Sequence, residues 1–502
     1  MLRGKHGRML AVASAILAFL AVWSVTLLYP QLYDWAAWIL ALGAGVQLGR
    51  AASGASFDRL VSRTLVPMGV LVALVASTML LLPRWRESRT FAALPAARAG
   101  APNVILLILD TVRAQSLSVH GAPRPTTPRL EAIAAQGTTF DYALSTAPWT
   151  LPSHASMFTG QYPHELTADW LTPLDDASPT LAEVLSRHGY ATAGFAGNYM
   201  VSWEVGLSRG FAHYEDYRVS LPQLALSSAI LRKAIHIPRL RRVVGRYDSA
   251  NRKRAPVMNT ELLRWLDDRP SRPFFAFVNY MDAHEVYNPP PPFRGKFGPD
   301  TARKNHLIKY GLGGVGFRSQ KGKMSPSEVQ AEFDAYEESI AYLDSHIGAL
   351  MDSLAARGLL DETVIIVSSD HGESFGEHGR WEHGSSLYPQ QLHVPLLMQA
   401  PGRVPAGRRI PDVVTLRDLA STILAIGPGV EELPGQSLTR FWDAGGVGTQ
   451  RPASPILGSI TNGFWNDKSA PTVRRGMRSV VMDGHQVIED VVSPAKFELF
   501  DL

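Results

Sequence analysis

After residue 101 the sequence repeats one pattern: a short apolar run, a polar residue where the run stops, then a helical segment. The first run opens on Asn103, continues unbroken from Val104 to Leu109 and stops at Asp110. A run without polar alternation has no solvent-facing side, so it fits a strand covered on both faces. Similar runs span Ala191 to Ala196, Phe274 to Tyr280, Val364 to Val367 and Val394 to Met398. Between them, Pro128 to Gln136 reads as a helix with Thr127 as N-cap and Gly137 behind it, and Leu181 to His188 as one closed by Gly189. A longer helix starts at the capping box Ser325-Pro326-Ser327-Glu328 and runs to about Arg357, before Gly358. Strands alternating with helices predict an α/β domain with a mainly parallel central sheet flanked by helices. No internal repeat or low-complexity tract interrupts it.

Ahead of that domain lies sequence of another character. Met9 to Leu32 carries no charge for 24 positions, more than the roughly 20 residues that cross a bilayer core. Trp35 to Gly49 is uncharged for 15 residues, short for a span unless Trp35, Trp38 and Arg50 anchor its ends, and Thr64 to Pro83 is a third run. Residues 1–83 therefore read as a membrane region of about three helices, and the Ala/Pro/Arg-rich 84–101 as a linker. A cleaved signal peptide fits less well, because the first run is long and two more follow. Residues 1–101 hold ten Lys/Arg against three Asp/Glu, which leaves 39 against 42 for the remainder of the chain's 49 and 45. The basic excess thus sits beside the apolar runs, as membrane orientation signals do, and no basic patch with interleaved aromatics argues for nucleic acid. With Arg3, Lys5 and Arg8 before the first run and Arg50, Arg59 and Arg63 after the second held inside, three spans put the large domain outside an inner membrane. A re-entrant second run would leave it in the cytoplasm.

In a parallel sheet, ligands bind outside the carboxyl ends of the strands. Asp110 ends the first run, Asp282 and His284 follow the Phe274 run, and Asp370 and His371 follow the Val364 run. Oxygen and nitrogen donors without thiolate suit one divalent ion, Zn²⁺ or Mn²⁺ ahead of Mg²⁺ or Ca²⁺. The chain contains no cysteine, which excludes disulfides and thiol nucleophiles. Thr150 directly precedes a helical stretch, Leu151 to Thr159, where free N–H groups stabilise an alkoxide and a bound oxyanion. A threonine in that place is also an ordinary helix cap, and only a metal contact separates the two readings. Trp149, Trp170 and Trp381 read as packing.

Six segments in order carry a resemblance to the sulfatase-type branch of the alkaline phosphatase superfamily: Pro102 to Asp110, Arg124 to Pro128, Ala147 to Gly160, Tyr280 to His284, Ser369 to Glu373 and Val394 to Leu396. The closing Phe497 to Leu502 is similar to a family C-terminal segment. The resemblance covers 102–502 and implies an alkaline-phosphatase-like domain with a small C-terminal subdomain from about residue 410. It implies that Asp110, Thr150, Asp370 and His371 bind the metal, that His284 contacts the substrate and that His383 stands where a sulfate-binding lysine falls. The departures matter as much. Sulfatases convert Cys or Ser to formylglycine and keep Pro two and Arg four positions later, where this chain has Thr150, Pro152 and His154. Oxidising threonine gives a ketone, not the aldehyde whose hydrate cleaves sulfate esters. Thr111 replaces a second acid, His371 an asparagine, and Asn198 and Met200 fall near a sulfate-clasping Lys and His.

A threonine nucleophile with an acid, an Asp-His pair and membrane helices is similar to lipoteichoic acid synthases and phosphoethanolamine transferases, although those usually carry Glu where this chain has Asp110. That similarity implies a membrane-anchored, metal-dependent hydrolase or transferase of phosphate esters, with Thr150 taking the phosphoryl group from a membrane lipid or glycan. His284 and His383 would orient the group or protonate the leaving alcohol. The alternatives are a sulfuric ester hydrolase that works without formylglycine and a non-catalytic metal-binding domain.

Overall fold

The computed structural model describes residues 2–26, 34–216, 253–269, 271–300, 321–442, 455–460, 476–490 and 497–502. The chain divides into two compact units, the first reaching Arg89 and the second beginning at Thr90.

In the first unit, helices α1 (Leu2–Thr26) and α2 (Asp34–Ala52) pack closely, and residues 27–32 of the first apolar run lie outside the described residues. A Cβ on Gly45 would lie 2.8 Å from the Ala15 carbonyl oxygen, and one on Gly49 2.9 Å from the Ala15 Cβ. Glycine at both positions is what lets the backbones approach, a device common between membrane helices. Trp23 and Trp38 meet one end of the contact with ring centroids 4.5 Å apart. Helix α3 (Ala55–Ala93) contains Pro67 and Pro83. Among the described residues, Met9–Thr26 and Arg59–Ala93 are the two stretches long and apolar enough to cross a membrane by length and composition. Helix α3 overruns the apolar run: the segment read as a linker is helical as far as Ala93. Ala and Arg are good helix formers even without an apolar stripe, and Pro95 ends what they sustain.

The second unit is built on an eight-stranded sheet in the order β10-β2-β9-β6-β1-β5-β3-β4. Its strands are β1 (Asn103–Leu109), β2 (Thr138–Leu144), β3 (Ala191–Ala196), β4 (His213–Glu215), β5 (Phe274–Tyr280), β6 (Thr363–Ser368), β9 (His393–Gln399) and β10 (Arg408–Thr415). All neighbours are parallel except β9, which runs antiparallel to β2 and β6. The expected α/β architecture is what the chain adopts. Alternate residues of β1 and β5 enter opposite cores: Val104, Leu106, Ile108, Phe275 and Phe277 on one face, Ile105, Leu107, Leu109, Phe274, Ala276 and Val278 on the other. This two-sided burial is why these runs show no polar alternation.

Helices α4 (Pro128–Ala135), α7 (Ala255–Asp268) and α8 (Pro326–Ala356) contribute to the second core. Helices α5 (Thr150–Thr159), α6 (Leu181–Arg187) and α9 (Leu419–Ile426) contribute to the first. The Ser325 capping box is formed, with Ser325 N–H donating to Glu328 Oε2 at 2.8 Å. Thr127 occupies the N-cap of α4 but its side chain does not cap the helix; Val119 N–H donates to its Oγ1 at 3.2 Å, tying down the preceding loop. A two-stranded ribbon, β7 (Ser374–Phe375) and β8 (Trp381–Glu382), follows β6. A separate antiparallel sheet comprises β11 (Ile456–Ile460), β12 (Met477–Met482), β13 (His485–Asp490) and β14 (Phe497–Asp501). It begins well after residue 410, because β10 and α9 belong to the main sheet and its core.

Candidate active site and metal centre

Strands β6, β1 and β5 are neighbours at the centre of the sheet, so whatever follows them meets at one edge. Asp110 and the Asp370-His371 pair are fully buried there, with ligand atoms of all three within 4.8 Å of one another. Asn198 and Asn279 donate to Asp110 Oδ2 at 2.8 and 3.2 Å. Thr111 N–H and His371 N–H donate to Asp370 Oδ1 at 3.2 and 2.9 Å. The remaining oxygens, Asp110 Oδ1 and Asp370 Oδ2, are buried with no hydrogen-bond partner among the described residues. Orphaned carboxylate oxygens are costly to bury unless a cation completes them. Burial works against ionised Asp110, but His284 and His371 hold its carboxyl below the ordinary value. Burial and the Asp110 charge push Asp370 well above it. Two carboxylates cannot both be charged this close without a counter-charge, so the donor set fits a divalent ion.

His371 supplies the nitrogen donor. Its Nδ1 lies 3.1 Å from the Gly372 carbonyl oxygen and must carry the proton, which leaves the lone pair on Nε2. Burial lowers its pKa to about 4, so the ring is neutral at physiological pH. Thr150 Oγ1 stands 3.3 Å from that Nε2 and 3.4 Å from Asn198 Nδ2. Thr150 is the first residue of α5, not the residue before it, and the N-cap is Trp149. Its hydroxyl therefore faces the ligand group instead of capping the helix. His154, one turn along, is fully buried, bonds the Thr150 carbonyl oxygen through Nδ1 at 2.8 Å and is driven by burial down to about 4. It brings no positive charge to the position where the sulfatase pattern has arginine.

Two further histidines flank the group. His383 stacks on His371 with centroids 4.5 Å apart, and His284 meets His383 edge to face at 5.0 Å. His383 Nδ1 lies 3.2 Å from Glu373 Oε1, and Tyr287 donates to Glu373 Oε2 at 2.9 Å. Burial holds the Glu373 carboxyl well above its ordinary value. Trp149 packs against both His383 and Trp170, so these indoles are wall. Asp282, grouped with the ligands by its place after β5, turns away: its Oδ2 accepts from Ala255 N–H at 2.9 Å, at the start of α7.

The structure thus brings together Asp110, Thr150, Asp370, His371, His284 and His383. It adds Asn198, Asn279 and Glu373. Asn279 carries a signal in the sequence, being an amide inside the otherwise apolar run Phe274 to Tyr280. For the other two the signal is the resemblance: Asn198 falls near a sulfate-clasping lysine of the family, and Glu373 closes the matched segment Ser369 to Glu373.

Buried carboxylates, a neutral imidazole and an aligned hydroxyl at the strand ends define a metal-dependent ester hydrolase of the alkaline-phosphatase-like superfamily. The family model for sulfatases matches residues 102–430, and the chain belongs to the sulfatase family, whose proteins bind a divalent metal. Arylsulfatase K of Canis lupus familiaris is 29% identical over 380 residues, covering 68% of each chain. Choline-sulfatase of Rhizobium meliloti (strain 1021) is 27% identical over 361 residues, covering 65% of this chain and 69% of the relative. The chain thus spans about two thirds of these relatives' lengths. Among solved structures, a protein bound to its substrate D-glucosamine-2-N,6-O-disulfate superposes with a TM-score of 0.61 at 19% identity, covering 80% of this chain and 91% of that one. The phosphonate monoester hydrolase of Agrobacterium radiobacter gives 0.60 at 20% identity, covering 80% and 89%. Both likenesses are of fold.

Proposed function

We propose that this sulfatase-family hydrolase cleaves phosphate esters, phosphodiesters or phospholipid head groups above all, through a covalent intermediate on Thr150, and that it does so from a multi-pass anchor with the catalytic domain outside an inner membrane. The observation that carries the reading is the Thr150 hydroxyl, 3.3 Å from His371 Nε2 and 3.4 Å from Asn198 Nδ2 in a chain without cysteine. Asp110, Asp370, His371 and the Thr150 oxygen would hold one divalent ion, with Zn²⁺ or Mn²⁺ favoured by the donor set. When bound, the ion supplies Lewis-acid stabilisation of the developing charge and lowers the pKa of the hydroxyl beside it.

This chain's residues do the rest. Thr150 Oγ1 forms a bond to phosphorus as the ester P–O bond breaks, and its proton passes to solvent. His284 or His383 gives a proton to the departing alcohol. Water, or an acceptor hydroxyl in the transferase version, then attacks the phosphothreonine and donates its proton to the same imidazole as the P–Oγ1 bond breaks, and the released Thr150 oxygen takes a proton back from solvent. Asn198 keeps Asp110 and Thr150 in register throughout.

Sulfate-ester cleavage is the second reading, favoured by relatives named as sulfatases at 27–29% identity. Both are tested by turnover of matched p-nitrophenyl phosphodiester, phosphonate and sulfate esters by the metal-loaded protein and by Thr150→Ala. The proposal expects phosphorus esters to lead and Thr150→Ala to be inactive with its metal retained. Sulfate esters in the lead would reverse the substrate, and an active Thr150→Ala would remove the nucleophile.

A further inference from the structure

The turn that follows β1 joins the two ligand segments, and its backbone takes a costly form. Thr111, fully buried, holds φ 63°, a left-handed conformation that β-branched residues rarely adopt. In that conformation successive N–H groups reach the segment after β6. Thr111 N–H donates to Asp370 Oδ1 at 3.2 Å, and Val112 N–H donates to Ser369 Oγ at 2.9 Å. The Ser369 hydroxyl in turn donates to the His371 carbonyl oxygen at 2.7 Å. Strain of this kind persists only where the surroundings fix it. One tie is local, from Thr111 Oγ1 to the carbonyl oxygens of Asp110 at 2.7 Å and Ala283 at 3.2 Å. The other comes from α8, more than two hundred residues along the chain. Tyr336 donates its hydroxyl to the Thr111 carbonyl oxygen at 2.8 Å and accepts from Arg113 N–H at 2.9 Å. Its ring is fully buried and packs on Phe375 with centroids 5.0 Å apart, and burial pushes its pKa up, so the hydroxyl stays a donor.

We infer that Tyr336 is a positioning residue for the metal centre: its hydroxyl locks the left-handed turn at Thr111 and so sets the Asp110 and Asp370 carboxylates for one ion. The inference rests on the metal centre of the reading above. Without the hydroxyl, the Thr111 carbonyl and the Arg113 N–H lose a buried partner, which favours rotation of their peptides toward other partners. Rotation also relieves the left-handed strain, so both effects act in the same direction. It carries Thr111 N–H away from Asp370 Oδ1, and Asp110, one residue earlier, moves with it. The hydroxyl bonds backbone beside the ligands, so its loss changes their geometry and removes no donor atom.

The test measures Zn²⁺ affinity of the full-length protein by competition with a chromophoric chelator, alongside thermal unfolding of the metal-free protein. Tyr336→Phe deletes the hydroxyl and keeps the ring packing, and should weaken Zn²⁺ binding roughly 10- to 100-fold. Tyr336→Phe/Thr111→Gly places at 111 a residue that enters the left-handed region without strain, and should bring the affinity back to within about threefold of the wild type. A Tyr336→Phe affinity within about threefold of the wild type, even with a lower metal-free unfolding temperature, would make the hydroxyl a fold contact only and overturn the inference. A loss that Thr111→Gly does not restore overturns the left-handed turn as its route. In both cases the wild type binds Zn²⁺ and the metal centre stands. A wild type that binds no Zn²⁺ removes the metal centre itself, and this inference with it.

Discussion

Asp370→Asn separates what the site does for stability from what it does for chemistry. The asparagine oxygen can still accept the bonds that Asp370 Oδ1 takes from Thr111 and His371 N–H. What disappears is the charge on Oδ2, a buried atom without a hydrogen-bond partner among the described residues, with ligand atoms of Asp110 within 4.8 Å. At 4.8 Å and an effective dielectric near 20, two unit charges repel by about 3.5 kcal/mol. Metal-free Asp370→Asn should therefore be more stable than the metal-free wild type, by up to ~4 °C in Tm for a domain of about 400 residues.

The sign depends on pH. Because the folded-state pKa of Asp370 is raised, its contribution to stability is intact below the ordinary carboxyl range and is lost as pH rises toward the folded value. The advantage of the variant should then vanish in acid and grow toward neutral and alkaline pH. Metal reverses the order. Saturation to about a thousand times Kd adds ~4 kcal/mol to the wild type and much less to the variant. Thermal unfolding followed by tryptophan fluorescence, with and without chelator at acid and alkaline pH, measures all four cases. A metal-free variant less stable than the metal-free wild type at alkaline pH, or stabilised by metal as much as the wild type, would refute the reasoning.

Other predictions follow from the same contacts. Asn198→Ala removes the 2.8 Å donor to Asp110 Oδ2 and should weaken metal binding roughly 10- to 100-fold in chelator competition; unchanged affinity would show that Asp110 is oriented by Asn279 alone. Gly49→Leu drives a side chain into Ala15, whose Cβ lies 2.9 Å from where a Cβ at 49 would stand, and should part α1 from α2. Cysteines introduced at 19 and 38, in a chain that has none of its own, should be joined by a short bis-maleimide in the parent and not in the Gly49→Leu background.

The central strands were legible because burial on both faces writes itself as unbroken apolar runs. β1, β3, β5, β6 and β9 all carry that mark, and their polar ends led to Asp110, Asp370 and His371. Strand β2 was missed because Asp141 and Tyr142 interrupt it and are only partly buried. β10 was missed because an edge strand tolerates Arg408, Arg409, Pro411 and a bulge between Ile410 and Val413. Within the site, position along the chain grouped Asp282 with the ligands, but one rotation of the chain after β5 aims it at α7. The Thr150 hydroxyl could not be assigned from sequence, since a cap and a nucleophile occupy the same place at a helix start. Its approach to His371 and Asn198 is what supports the proposed nucleophile over the cap.

The central claim is that an unmodified threonine forms the covalent intermediate. It is tested most directly by quenching the metal-loaded protein in acid during turnover of a phosphodiester and mapping the modified residue by peptide mass spectrometry. The account predicts a phosphoryl-type adduct on the peptide carrying Thr150, present in the wild type and absent in Thr150→Ala. Rapid turnover with no adduct on that peptide, or an adduct that persists in Thr150→Ala, would contradict it.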